Sequence, residues 1–396
     1  MKRPINVAII GAGGKRAMAF AEYISQHPED AKLVAMADSN IEKTKCIKNY
    51  FNLDADIYSD IKEIVKRSDV EAVVVCTPDN AHLIPVVEAL KSNKNIFIEK
   101  PLATTLADCD AMIEAAKNSM AVCYLGFNLR HSPGYEKVHN LITQGKLGKI
   151  TTIEANEWYY GGKDYFRRWN RFSSLSGGLW LTKACHDFDL ITWMAGGKPK
   201  SVYAVSSLSH YKSKPNAALR CRDCPLKDTC PDFHDLDKPS NGSLAPLLSK
   251  LEYKMQQDGP MAPDLCLFNS EKDTFDNGIA VIQYDNDIRA TYTVNVLAAK
   301  TTRQMKIIGT EGMVELDIAD GIVIFTKRHT NEVIQYDLKK DMLTSHGGAD
   351  EKIFADFFNL CRNGGTPRSG LDDGRLAVRI SLAAGKSDDI DMPVKI

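Results

Sequence analysis

The chain has 396 residues, with 50 basic and 51 acidic side chains, a formal charge of −1, and 44% hydrophobic residues. So even a balance gives no field for nucleic acid or an anionic membrane, and it leaves a small polar substrate or cofactor as the expected partner. The length exceeds one ordinary core, so two domains are expected.

The opening MKRPINVAIIGAGG has an apolar run too short to span a bilayer and lacks the small-residue site of a cleaved leader. A cytoplasmic protein is expected. Ile5–Ile10 (INVAII) is nearly all apolar, as in a strand buried on both faces. A helix over 15–26, a strand at Leu33–Ala37 and a helix at Glu42–Tyr50 follow. Then come a strand at Ala72–Cys76, a helix at His82–Ser92, a strand at Asn95–Ile98, a helix at Leu106–Asn118 and a strand at Val122–Phe127. Strand–helix–strand alternation at this spacing predicts a doubly wound parallel sheet over residues 1–125.

From residue 126 the pattern changes. Helices are expected at Tyr135–Gln144 and Leu179–Ala195, and alternating strands at Ile150–Trp158, Ser201–Ser207, Gly278–Tyr284 and Ile288–Val296. More strands follow at Gln304–Ile308, Met313–Leu316, Ile322–Phe325 and Val333–Tyr336, with helices at Glu351–Cys361 and Asp372–Ala384. Turns such as Tyr284–Ile288 and Gly309–Gly312 join hairpins. The fold class is therefore α/β, with a second α+β domain over 126–396 built on a large, mostly antiparallel open sheet. A polar, proline-containing insertion at about 210–276 interrupts it.

Gly11-Ala12-Gly13-Gly14 follows the first strand and precedes a helix. Glycines there permit a tight turn and let the backbone approach a pyrophosphate at the helix N-terminus. Arg16 stands where a G-x-G-x-x-G fingerprint has its third glycine. Asp38 ends the second strand, where a carboxylate accepts from the adenosine ribose hydroxyls and repels a 2′-phosphate. NAD is expected over NADP, with Gly11, Gly13, Gly14, Arg16 and Asp38 as contacts.

Thr77-Pro78-Asp79-Asn80-Ala81-His82 and Glu99-Lys100-Pro101 follow two further strands, at the carboxyl edge where doubly wound sheets hold ligands. Burial and a nearby cationic cofactor would lower the pKa of Lys100 toward proton transfer. Downstream, His186 and Asp189 are three residues apart on one helix, so a carboxylate there could orient the imidazole.

These four stretches together (the G-A-G-G turn, T-P-D-x-x-H, E-K-P after a strand, and Gly177-Gly178 leading to His186-Asp187-Phe188-Asp189) resemble the Gfo/Idh/MocA oxidoreductases, the relatives of glucose–fructose oxidoreductase and inositol dehydrogenase. The resemblance covers nearly the whole chain. It implies a Rossmann domain followed by a substrate domain, with Lys100 touching substrate and nicotinamide, His186 as acid/base and Asp189 one turn on. It implies Thr77, Pro78, His82 and Glu99 beside the cofactor. Asn128, Arg130, Trp158, Tyr160 and Lys183 are expected to line the substrate pocket. Where inositol-dehydrogenase-like members carry an Asp four residues before the histidine, this chain has Thr182, which leaves open what tunes His186. The implied reaction moves a hydride between a sugar or cyclitol carbon and NAD, in a homodimer or homotetramer. Two alternatives remain: an NAD-dependent glycoside-cleaving enzyme working by transient oxidation, elimination and re-reduction, and a non-catalytic NAD-binding regulator.

Cys221, Cys224 and Cys230 form C-x2-C-x5-C inside the insertion. In a reducing compartment such spacing suggests a metal more than a disulfide. With Cys266 as fourth ligand, or His234 in its stead, a structural zinc would pin the insertion. An iron–sulfur cluster needs the same sulfurs.

Overall fold

The computed structural model describes residues 3–236, 244–256, 259–342 and 345–396. Six strands form the first sheet: β1 (Ile5–Ile10), β2 (Ala31–Ala37), β3 (Asp56–Tyr58), β4 (Ala72–Val75), β5 (Asn95–Ile98) and β6 (Cys123–Leu125). Their order is β3-β2-β1-β4-β5-β6, and every neighbouring pair is parallel. Val7, Ala8, Ile9, Ile10 and Val73–Val75 are buried because helices cover both faces, which explains why these strands read as nearly continuous apolar runs. Strand order reverses between β1 and β4, so the crevice between the loops after these two strands is where a ligand fits.

The second sheet has nine strands: β7 (Ile150–Trp158), β8 (Pro199–Ser207), β9 (Asn277–Tyr284), β10 (Arg289–Asn295), β11 (Thr302–Gly309), β12 (Gly312–Asp317), β13 (Ile322–Lys327), β14 (Val333–Asp337) and β15 (Val394–Lys395). Their order is β14-β13-β12-β11-β7-β10-β9-β8-β15. All pairs are antiparallel except β7 with β10. Burial alternates along β9, with Ala280, Ile282 and Tyr284 turned to the core and Ile279 and Val281 outward. Helices Cys185–Ala195 and Leu371–Ile390 pack on the inner face through Phe188, Ile191, Ile380 and Ala384.

Three local departures have physical reasons. The helix expected over Leu179–Ala195 is two, Leu179–Thr182 and Cys185–Ala195, broken at Lys183 (φ −109°), where the chain turns to bury that lysine on Glu157. The strands β3 and β15 are too short, at three and two residues, to show a period. The insertion is less polar in space than in sequence. Helix Leu244–Met255 packs Leu244 and Leu248 into the first sheet's core, and Leu265, Leu267, Phe268 and Phe275 are buried.

The segment Ser345–Asn363 returns to the first sheet, where Phe354, Phe357 and Phe358 pack against Phe20, Tyr23, Phe97 and Tyr124. Among the described residues no helix is long and apolar enough to cross a membrane.

Candidate active site

Gly11 ends β1 at φ +81°, a conformation that L side chains rarely adopt, and a Cβ on it would lie 2.5 Å from the Thr77 nitrogen. The loops after β1 and β4 therefore touch backbone to backbone, which only glycine permits. Helix Lys15–Gln26 starts at Gly14, whose side-chain-free backbone gives no cap and lets an anion approach the positive end of the helix. Asp38 accepts from the Gly13 N–H at 2.8 Å and from the Asn40 N–H at 2.7 Å, and so holds its carboxylate against the glycine turn. An uncapped helix start, a glycine-only cradle and a carboxylate after β2 fit a dinucleotide.

Arg16 is turned to other business. Its Nε lies 2.7 Å from Glu99 Oε1, and its Nη1 and Nη2 lie 3.1 and 3.2 Å from Asp350. Burial works against this guanidinium, but the two carboxylates outweigh it and keep the charge. His82 is a fastener between loops: Nδ1 reaches the Pro101 carbonyl at 2.9 Å and Nε2 the Thr77 carbonyl at 3.1 Å. Burial pushes its pKa down.

Lys100 extends from the loop after β5 and donates to the Thr182 carbonyl at 2.8 Å. Burial alone would lower its pKa, but the interactions with Cys185, Tyr165, Asp79 and Glu99 outweigh it and raise it above the ordinary lysine value. Set by the protein's own groups, Lys100 is an ammonium able to donate. His186 goes the other way. It is 6% exposed, its Nδ1 has no protein partner, and its pKa is well below the ordinary value. Burial is the largest cause, followed by the charges of Lys100 and Arg303. A neutral imidazole with an open nitrogen beside a lysine is equipped to receive a proton.

The expectation that Asp189 orients His186 is corrected. Both oxygens of Asp189 go to Arg130, at Nε (2.9 Å) and Nη2, and Arg130 also meets Asp373 at 2.9 Å. Residues three apart share a broad helical face, and this carboxylate turns to the nearest cation. Arg130 with Asp189 thus ties helix Cys185–Ala195 to helix Leu371–Ile390. Burial, against the pull of Arg130, pushes Asp189 up to about 6.

Of the expected pocket residues, Lys183 is buried on Glu157 (2.7 Å) with its Nζ 3.8 Å from the Tyr159 ring centre. Arg303 on β11 joins the same group, 2.6 Å from Glu157 and 3.0 Å from Asp187, and Tyr292 donates to Asp187 at 3.0 Å. Burial raises Asp187 despite Arg303, whereas Arg303 and Lys183 hold Glu157 low against its own burial. Asn128 donates to Asp350 at 2.6 Å. Trp158 ends β7, paired with Asn295 of β10, while Tyr160 is 60% exposed.

Sequence reasoning passed over Asp79, His346 and Asp350. Asp79 lies inside the T-P-D stretch, is buried, and has an Oδ2 without a partner. Burial pushes it up to about 7, against the pull of Lys100 and a hydrogen bond from the Thr182 hydroxyl. His346 Nδ1 lies 2.8 Å from Asp350 Oδ2. A histidine and an aspartate four apart, separated by Gly347 and Gly348, were the available signal.

The metal expectation is also corrected. Cys221, Cys224, Cys230 and Cys266 line one cavity of about 100 Å³, yet among the described residues no three His, Cys, Asp or Glu side chains are grouped to hold a metal ion. Each is a free thiol. Cys221 instead interacts with Arg167 and the His234 backbone. C-x2-C spacing builds a local knuckle, but Leu267 and Phe268 line the same cavity and Cys224 and Cys230 are only half-buried. The iron–sulfur alternative falls with the same observation.

Two family models match this chain. One, an oxidoreductase family NAD-binding Rossmann fold, covers residues 5–127, and the other, the C-terminal alpha/beta domain of that family, covers residues 139–396. The chain belongs to the Gfo/Idh/MocA oxidoreductase family. Family relatives include YteT of Bacillus subtilis (strain 168), named as an oxidoreductase, 29% identical over 75% of this chain and 74% of its own. The myo-inositol 2-dehydrogenase of Thermotoga maritima is 31% identical over 46% of this chain and 52% of its own, so the match spans about half of that relative. A levoglucosan dehydrogenase solved with NADH and levoglucosan shares the fold, with a TM-score of 0.78, 18% identity and complete coverage of both chains.

Proposed function

We propose that this family member is an NAD-dependent dehydrogenase of a hydroxyl-bearing carbon in a sugar, cyclitol or sugar derivative. Residues 1–125 would hold the cofactor, with Gly11, Gly13, Gly14 and Asp38 as contacts. Residues 126–396 would present the substrate. The observation that carries the reading is His186: buried, neutral, open at Nδ1, and with its pKa pushed down by burial and then by Lys100. Relatives named as inositol dehydrogenases and a structural neighbour that binds levoglucosan support a polyhydroxy substrate.

The cofactor supplies the hydride acceptor and a positive charge. Lys100, as an ammonium, donates to the substrate oxygen and fixes which hydroxyl faces the reaction. His186 takes that hydroxyl's proton at a ring nitrogen as the carbon loses its hydride, leaving a ketone or lactone. The Glu157–Lys183–Arg303–Asp187 cluster, buried beneath, keeps the positions rigid without being consumed. Asp38 favours NAD over NADP. Self-association through the outer face of the second sheet, where Val205, Ile279 and Val281 stand exposed, and a cytoplasmic setting complete the reading.

The test is a panel of sugars, cyclitols and glycosides with NAD⁺, followed for both NADH and released aglycone. NADH formation with one class of polyol supports the dehydrogenase. Aglycone without NADH identifies the glycoside-cleaving alternative, and stoichiometric NAD binding without turnover identifies a regulator.

A further inference from the structure

His346 adopts the left-handed region at φ 53°, and Gly347 and Gly348 follow at 63° and 77°. A non-glycine residue there is strained and persists only where its surroundings hold it, a situation concentrated at functional sites. Asp350 holds it, with Oδ2 2.8 Å from Nδ1. That carboxylate is gripped in turn by Arg16 at 3.1 and 3.2 Å and by Asn128 at 2.6 Å. Burial works against its charge, but the hydrogen bond from His346 and the charge of Arg16 hold it well below the usual carboxylate range. An ionised aspartate on one ring nitrogen fixes the orientation of the imidazole and leaves the other nitrogen to handle a proton.

The ring so held faces His186, with centroids 6.4 Å apart. Ring nitrogens turned toward each other stand closer than the two ring centres do, within reach of one oxygen atom hydrogen-bonded to both. His186 lies deep, among Lys100, Lys183 and Arg303, so a proton placed on it is unstable there. It needs a way out. The His346 side chain is 34% exposed and reaches solvent.

Resting on the dehydrogenase reading above, we propose that His346, oriented by Asp350, is the outlet that carries the proton from His186 to solvent. As the substrate C–H bond breaks, its electron pair leaves as hydride for the cofactor. The O–H proton moves to His186 and the C=O bond forms. The proton then crosses a bridging oxygen to His346 and leaves to water or buffer, so no further oxidant or reductant is needed. His346 acts on the proton and not on the hydride.

The experiment uses the full-length protein with NAD⁺ and its substrate from the panel. His346→Asn and His346→Gly both accept the left-handed backbone. In dilute non-imidazole buffer, each variant should lose at least tenfold in steady-state turnover, while NADH binding stays within twofold. The first hydride transfer, read in a single turnover, should stay within threefold. Added imidazole should restore most of the lost turnover, above all in His346→Gly, where space for it exists. A purely structural role would not respond to imidazole. Full turnover in both variants, or a loss that imidazole leaves untouched, overturns the outlet alone. Absence of turnover by the unaltered protein across the panel overturns the dehydrogenase reading and the outlet with it.

Discussion

Arg16 Nε stands 2.7 Å from Glu99 Oε1, so the residue in the fingerprint's third-glycine place clamps the glycine turn to the loop that carries Lys100. Its other nitrogens hold Asp350, from a segment more than 300 residues later. Arg16→Met leaves two carboxylates, both less than 10% exposed, without their cation. Removing one partner of so buried a network costs about 3 kcal/mol or more. Urea unfolding should therefore show a clearly lower midpoint at unchanged slope. A midpoint within error of the parent would mean the clamp contributes nothing to stability.

Lys100→Ala and His186→Asn separate chemistry from binding. Each removes a proton-handling group, which is expected to cost about 10²–10⁴ in turnover, while fluorescence titration of NADH changes by no more than a few fold. Near-normal turnover in either variant removes that residue from the mechanism.

Asp38 sets cofactor choice. Asp38→Ser removes the charge that would meet a 2′-phosphate. The ratio of kcat/KM for NAD⁺ to that for NADP⁺ should drop by about tenfold or more, mostly through KM. Because Asp38 also accepts from Gly13 and Asn40, some loss of NAD⁺ affinity accompanies the change. An unchanged ratio would show that discrimination lies elsewhere.

Asp79 links stability to pH. Its folded pKa of about 7 lies above the unfolded value near 3.9. The folded state therefore binds the proton more tightly, and the stability this confers is fully present below about pH 4 and lost as pH rises through 7. Asp79→Asn is neutral throughout. Relative to the parent, it should gain on the order of 3 kcal/mol between pH 4 and pH 8. Denaturant melts at both pH values check this, and a pH-independent difference would place Asp79 in a more solvated setting than its burial indicates.

The first sheet was legible because its strands are buried on both faces, which leaves AVVVC without a polar break and INVAII with Asn6 as its one polar residue. The second was legible because β9 and its neighbours bury one face, which gives clean alternation. Lys100 and His186 could be found from local motifs, since each lies beside glycine or proline signals. Their partners could not. Thr182 offers Lys100 a carbonyl, which carries no sequence signature. Asp189 was drawn to Arg130, 59 residues away, a choice set by tertiary packing that helical spacing cannot report. The apolar anchors Leu265, Leu267 and Phe268 hid in a polar neighbourhood, so the cysteines beside them looked like the insertion's only means of support.

The return of Ser345–Asn363 to the first sheet has a consequence for how the protein is made. Phe20, Phe97 and Tyr124 leave the ribosome long before Phe354, Phe357 and Phe358, which cover them. During synthesis the nucleotide-binding half waits with an aromatic face open to water, a state prone to aggregation. Its completion waits on those late residues, so a chain terminated before them lacks the cover that a finished N-terminal half requires.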